Sequence, residues 1–205
     1  EKGCKTMKKQ IITIAGGRST YTPGIIKALL VSDAKLPLAE IRLYDMNENR
    51  CDNMYVIIKQ LLKQEGKEEI KLVQTTKPEI AFTNANFIFS QIRVGGFEMR
   101  EKDEKIPLKY GLVGQETCGL GGFSYGLRTI KDILELVGFV QEYAPDAWIL
   151  NYTNPETIVS EAIRRVYKDI KMINVCDMTI SIEETIADNY GYERENWVPT
   201  YYGLN

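Results

Sequence analysis

The stretch Ile11-Ile12-Thr13-Ile14-Ala15-Gly16-Gly17-Arg18-Ser19-Thr20-Tyr21-Thr22-Pro23 decides the fold. Its first five residues are apolar or β-branched, as a buried strand requires, and Gly16-Gly17 break the run. Thr22 then stands as a helix N-cap with Pro23 in the first turn, and Ile25, Ile26, Ala28, Leu29 and Leu30 supply an apolar helix face. Strand, tight turn and helix predict the opening unit of a doubly wound sheet. The first turn of such a sheet offers backbone N–H groups and a helix N-terminus to a pyrophosphate. Gly16, Gly17, Ser19 and Thr20 are the candidate anion-binding residues. The run Gly-Gly-Arg-Ser-Thr lacks the full Gly-x-Gly-x-x-Gly fingerprint, so a plain tight turn stays open beside the nucleotide reading.

Outward from this stretch, Ile41 to Tyr44 forms a second strand ending at Asp45. An acidic residue there accepts hydrogen bonds from ribose hydroxyls and repels a 2′-phosphate, which favours NAD over NADP. Asp45 read as an ordinary cap of the next helix is the alternative. Helical spacing of Met54, Ile57, Ile58, Leu61 and Leu62 predicts a helix over Glu48 to Gln64, and Lys71 to Gln74 and Asn86 to Phe89 read as further strands. From Ile92 to Gly126 the periodicity lapses into glycines and the charged run Arg100 to Lys105, which reads as a long functional or mobile loop. Alternation resumes with a helix Thr129 to Tyr143, a strand Trp148 to Leu150, a helix after Asn154-Pro155, a strand Met172 to Val175 and a helix Ser181 to Asn189. Strands alternating with helices predict an α/β, doubly wound, mostly parallel sheet of Rossmann type over residues 9–205, behind a polar extension at 1–8.

The chain has 205 residues, 44% of them hydrophobic, with a net charge of −2. It therefore offers no basic field for nucleic acid. No apolar run approaches the roughly 20 residues of a membrane span. Cys4, Cys51, Cys118 and Cys176 form no Cys-x-x-Cys pair, which argues against a zinc knuckle or redox dithiol and fits a reducing, cytoplasmic setting. There is no histidine, so the commonest general base and the commonest metal ligand are both missing.

Ligands of such sheets bind beyond the strand C-termini, where three polar clusters fall: Asn151-Tyr152-Thr153-Asn154-Pro155, Cys176-Asp177-Met178, and Gly114-Gln115-Glu116-Thr117-Cys118-Gly119 in the glycine-rich stretch. Taken singly, Asn151 and Asn154 read equally as turn and cap residues, Cys176 as a small apolar residue and Asp177 as a helix-leading carboxylate. Together with Tyr202-Gly203-Leu204-Asn205, these motifs give the chain a close resemblance to the family-4 glycoside hydrolases from about Lys8 to Asn205. Within that family the chain resembles the 6-phospho-α-glucosidases, in which Cys is followed by Asp and Met. The 6-phospho-β-glucosidases carry Cys-Asn at that place, and α-galactosidase-type members carry Cys-His.

The resemblance implies hydrolysis of a phosphorylated disaccharide by oxidation, elimination and addition, with NAD as a resident cofactor and a divalent metal, manganese, as the second. It implies that Cys176 is a metal ligand and that Asp177 is the acid that protonates the leaving oxygen. It further implies that Glu116 acts on the catalytic tyrosine and that Arg100 and Asn154 bind substrate. Arg93 and Asn151 are added as substrate-binding candidates. Leu120 and Thr179 replace prolines usual in the family, so two turns are expected to be shaped differently. The resemblance also places an α+β domain, the catalytic tyrosine and a metal-binding histidine beyond Asn205. On that basis this chain alone is expected to bind NAD, to bind metal poorly and not to turn over, while the full-length protein forms a homo-oligomer. The competing readings are a 6-phospho-β-glucosidase, an NAD-dependent 2-hydroxy-acid dehydrogenase, which normally needs a histidine, and a non-catalytic nucleotide-binding fragment.

Overall fold

The computed structural model describes residues 8–46, 48–200 and 202, without the side chains of residues 48–51. Most of the polar extension, Cys4, Cys51 and Gly203-Leu204-Asn205 therefore lie outside the described residues or side chains. Two compact units follow one another, residues 1–174 and 175–205.

The first unit is built on six strands, β1 (Gln10–Ala15), β2 (Leu38–Tyr44), β3 (Lys71–Thr75), β4 (Phe87–Ser90), β5 (Trp148–Asn151) and β6 (Met172–Asn174). They pair in the order β3-β2-β1-β4-β5-β6, and every pair is parallel. The Rossmann-type sheet expected from the sequence is therefore present. Chain direction across the sheet reverses between β1 and β4, which makes their C-terminal ends the topological switch point.

Period-two alternation divides the strand residues between two cores. Ile12, Ile14, Ile41 and Leu43 pack with Ile26 and Leu30 of α1 (Thr22–Val31) and with Met54, Ile58 and Leu62 of α2 (Glu48–Gln64). On the opposite face Ala15, Ile88 and Ile149 pack with Phe82 of α3 (Pro78–Phe82), with Ile133, Val137 and Val140 of α5 (Gly119–Tyr143), and with Val159 and Ile163 of α6 (Glu156–Val166). Each fully buried aliphatic side chain contributes roughly 1.5–3 kcal/mol. The short helix α3, which periodicity does not reveal, satisfies polar groups on this second face. Thr13 Oγ1 and Arg42 Nη1 donate to the Ala81 carbonyl at 2.5 and 3.1 Å, and Arg42 Nη1 also donates to Thr83 O at 2.7 Å.

The stretch Ile92 to Gly126 corrects the loop expectation, because most of it is helical. Helix α4 (Gly96–Leu108) has no apolar stripe; it packs against α5 and is supported by i,i+4 pairs of Glu98 with Lys102, Arg100 with Glu104, and Glu101 with Lys105. Helix α5 begins at Gly119, ten residues before the first one predicted, because its glycines serve close packing. A Cβ on Gly122 would lie 2.2 Å from the Thr117 carbonyl carbon. The approach to α5 is held by Gln115, whose Oε1 accepts from the Thr117 and Cys118 amides just ahead of the helix at 2.5 Å each. Leu120 falls in this first helical turn, a place that accepts proline or other residues alike.

In the second unit, α7 (Met178–Tyr190) ends at Gly191 with φ 69°, a left-handed cap. A 3-10 turn at Arg194–Asn196 folds back on it, with Arg194 Nη2 2.9 Å from Glu183 Oε2 and Tyr192 edge-on to Trp197. Thr179 lies in the first turn of α7. No helix among the described residues is long and apolar enough to cross a membrane.

Candidate functional site

The turn after β1 lies at the switch point. Gly16 takes φ 84°, and a Cβ there would sit 2.8 Å from the Gln91 carbonyl oxygen, while one on Gly17 would sit 2.9 Å from Leu43 Cβ. The two glycines act by this closeness. Their amides do not point to a ligand, since both donate to Tyr44 O at 3.0 Å and tie the turn to β2. The Ser19 amide donates to Gly16 O, and Ser19 Oγ accepts from the Tyr21 amide at 3.3 Å. Among the described residues that leaves the amides of Arg18 and Thr20 as the turn's available donors, just ahead of the α1 N-terminus. Thr22 differs from its expected role as N-cap. It is the first helical residue, and its hydroxyl donates back to Gly17 O at 2.9 Å.

Gln91, at the end of β4, closes this turn from the other side of the switch point. Its Nε2 donates to Thr22 Oγ1 at 2.8 Å and to Gly16 O at 3.3 Å. Because the Thr22 hydroxyl is already donating to Gly17 O, the amide orientation is set, and Oε1 is left buried without a partner among the described residues.

Asp45 lies at the end of β2, with Oδ1 3.3 Å from Arg18 Nε. The Asp45 side chain is 8% exposed and the Arg18 side chain 32%.

At the end of β5, Asn151 is fully buried. Its Oδ1 accepts from the Thr153 amide at 3.2 Å, and its Nδ2 donates to Thr153 O at 3.4 Å and to Asn174 Oδ1 at 3.0 Å. Asn151 therefore staples a turn, with both polar atoms of its side-chain amide engaged within the protein. Thr153 Oγ1 in turn meets Ser90 Oγ and accepts from the Ile92 amide, both at 3.1 Å, and so positions the segment leading to Arg93. Asn154 is half-buried and joined to Pro155 by a cis peptide bond at the entrance to α6.

Beyond Ile92, two arginines converge on one carboxylate. Arg93 Nη1 lies 2.8 Å from Glu116 Oε1, and Arg100 Nη2 lies 3.0 Å from Glu116 Oε2. Arg100 Nε also donates to Glu104 at 2.8 Å, and this hydrogen bond to Glu104, with Glu116 beside it, raises the Arg100 pKa despite partial burial. The Arg93 guanidinium packs on Phe97 and Tyr125, and Arg128 packs on the same tyrosine. Burial pushes the Tyr125 phenol up, partly offset by Arg93. Arg128 forks onto the buried Asp103, with Nη2 2.5 Å from Oδ2, and donates to Val94 O at 3.2 Å. Arg93 Nε and Nη2 and Arg100 Nη1 make no hydrogen bond among the described residues and can receive an anion or sugar hydroxyls.

Cys176 and Asp177 belong to the second unit. Both are exposed, and Asp177 precedes α7 without a side-chain capping bond. Among the described residues no three His, Cys, Asp or Glu side chains gather closely enough to hold a metal ion, so Cys176 is a lone candidate ligand.

Gln91, Thr153, Gln115 and the Asp103–Arg128 pair escaped the sequence reading. Gln91 carried a signal as a polar residue at the end of a strand, and Thr153 and Gln115 carried one by lying inside the polar clusters, whereas no local pattern links Asp103 to Arg128.

Comparison with known proteins follows the same lines. A 6-phospho-alpha-glucosidase of Leptotrichia buccalis is 48% identical over 202 residues, which are 97% of this chain and 45% of the relative. A 6-phospho-beta-glucosidase of Thermotoga maritima is 36% identical over 95% of this chain and 46% of its own length. A crystal structure of a 6-phospho-alpha-glucosidase from gut microorganisms, in complex with NAD and Mn2+, superposes with a TM-score of 0.90 at 39% identity, covering 96% of this chain and 45% of that one. The chain thus spans a little under half the length of the relatives it matches. The Family 4 glycosyl hydrolase model matches residues 11–192, and the chain belongs to that family.

Proposed function

We propose that this chain is the dinucleotide-binding part of an NAD-dependent 6-phospho-α-glucosidase. The observation that carries the reading is a tight, glycine-built turn at the β1/β4 switch point, joined through Gln91 to a segment presenting Arg93 and Arg100 on Glu116. The residues of the turn fit a dinucleotide. Its glycines remove the Cβ atoms that would collide with Gln91 and Leu43, so the turn can close tightly, the Arg18 and Thr20 amides stand ready to donate to an anion, and Asp45 suits ribose hydroxyls. When bound, NAD supplies a reversible hydride acceptor.

The chain's own residues then divide the work of recognition. Arg93 and Arg100 offer the sugar or its phosphate their remaining N–H donors, while Glu116 holds the two guanidiniums side by side. Asn154 is a second candidate contact. Asp177 is the proton donor to the leaving oxygen. Manganese is bound by the solved relative, but the described residues here supply one candidate ligand, Cys176, and do not make a metal site by themselves. The α preference is supported by 48% identity to a 6-phospho-alpha-glucosidase against 36% to a 6-phospho-beta-glucosidase.

The test is calorimetric titration of NAD, followed by cleavage assays on paired chromogenic 6-phospho-α- and β-glucosides with NAD and manganese added or withheld. The expected result is NAD binding and NAD-dependent α cleavage without net NADH formation, by the protein that carries this chain. Stoichiometric reduction of a keto acid, or faster β cleavage, would replace the reading.

A further inference from the structure

The Gly-x-Gly-x-x-Gly fingerprint uses its second glycine to let the pyrophosphate approach the backbone and its third for close packing of helix on strand. Counted from Gly16, those places are held here by Arg18 and Tyr21. A long cationic side chain thus stands where the pattern asks for none, and it reaches sideways to the end of β2. Arg18 Nε lies 3.3 Å from Asp45 Oδ1, and the Asp45 side chain is almost wholly buried while the Arg18 side chain keeps about a third of its surface in solvent.

The charge beside the adenosine ribose is therefore different from that of a lone carboxylate. An unpaired Asp45 would repel a 2′-phosphate; paired with Arg18, it carries little net charge. The guanidinium is also the group best shaped to grip a phosphate, through two parallel N–H donors, and its position on a solvent-facing turn lets it rotate from Asp45 to an incoming anion.

We propose that Arg18 sets the choice between NAD and NADP at this site, so that the chain accepts NADP alongside NAD. With NAD, Asp45 receives the ribose hydroxyls and Arg18 stays at its side. With NADP, Arg18 meets the 2′-phosphate. The inference rests on the dinucleotide reading above.

The experiment is titration of the purified chain, and of Arg18→Ala, Arg18→Gln and Asp45→Asn, with NAD and with NADP at low and high salt. The wild type is expected to bind NADP within about tenfold of NAD. Loss of one charge-assisted contact predicts that both Arg18 variants weaken NADP about tenfold or more relative to NAD. Asp45→Asn should weaken NAD and tighten NADP. Adenosine 2′,5′-bisphosphate and ADP, titrated in parallel, should show the same ratio changes, which locates the effect at the adenosine ribose. Melting curves of the two Arg18 variants check that they fold, and the smaller change in Arg18→Gln serves if Arg18→Ala does not. An NADP-to-NAD ratio within twofold of wild type in the folded Arg18 variants overturns the inference and leaves the NAD reading intact. Failure of the wild type to bind either dinucleotide overturns both.

Discussion

Replacing Gln91 by leucine separates the stability of the phosphate turn from its ability to bind. The substitution removes two neutral hydrogen bonds, from Nε2 to Thr22 Oγ1 at 2.8 Å and to Gly16 O at 3.3 Å. Such bonds contribute about 0.5–1.5 kcal/mol each, and the longer one belongs at the low end. Neither acceptor is stranded. Gly16 O still accepts from the Ser19 amide at 3.0 Å, and the Thr22 hydroxyl still donates to Gly17 O at 2.9 Å. The buried Oε1, which has no partner among the described residues, disappears as well, and an orphaned acceptor of that kind costs about 1–3 kcal/mol. Leucine fills a similar volume, so the terms nearly cancel, and the predicted change in stability is below about 1 kcal/mol, or roughly 2–4 °C in Tm for a chain of this size. Binding behaves differently, because without the amide fork the ligand must order the turn itself. Ordering one backbone residue costs about 1–2 kcal/mol, so NAD affinity should fall about tenfold. Thermal unfolding and calorimetric titration of the same preparation give both numbers. A large loss of Tm with unchanged NAD affinity would refute the reasoning and make Gln91 a plain fold staple.

Three further outcomes follow from the packing. Gly17→Ala places a Cβ 2.9 Å from Leu43 Cβ and 3.0 Å from Leu43 Cα, and overpacking of this kind costs about 1–3 kcal/mol; an unchanged urea midpoint would contradict it. Asp103→Ala strands Arg128, and loss of one partner of a buried pair costs about 3–5 kcal/mol, here at the lower end because Arg128 keeps 20% of its side-chain surface exposed. Urea titration should show that loss, with the pair replaced together by apolar residues recovering most of it. Glu40 is pushed up by burial, but Arg42 at 2.8 Å and Lys71 at 3.4 Å outweigh that and hold its carboxyl below the ordinary glutamate value of 4.5. A depressed carboxyl stabilises the fold above its ordinary value and loses that contribution as pH falls through the folded one. Glu40→Gln should therefore flatten the fall in unfolding free energy below about pH 4.5, and an acid limb as steep as wild type would exclude the pair as its source.

The regular elements were legible wherever one face is apolar. Helix α2 matches its predicted bounds at Glu48 and Gln64, because Met54, Ile58 and Leu62 recur at the helical period and have a sheet to pack on. Helix α4 was not legible. It buries Asp103 and Pro107 instead of an apolar stripe, and its charged run becomes a helix through i,i+4 pairs and its seat against α5. The same physics hid the first turns of α5, where glycine signals a loop in the sequence and close backbone packing in the structure.

The sequence by itself determined the strand-and-helix alternation, the parallel sheet and the turn after β1, since these follow from local periodicity and from glycine and proline chemistry. It also placed Asp45 directly after one strand and Arg93, Arg100 and Glu116 in the stretch that follows another. Only the tertiary structure decided which groups meet. It spends the Gly16 and Gly17 amides on Tyr44, turns Asn151 inward as a staple, brings Gln91 from β4 onto the turn of β1, and sets Arg18 against Asp45. Those pairings join residues distant in the chain, and a hydrogen bond or ion pair between them is fixed by strand order and register, which no local pattern encodes.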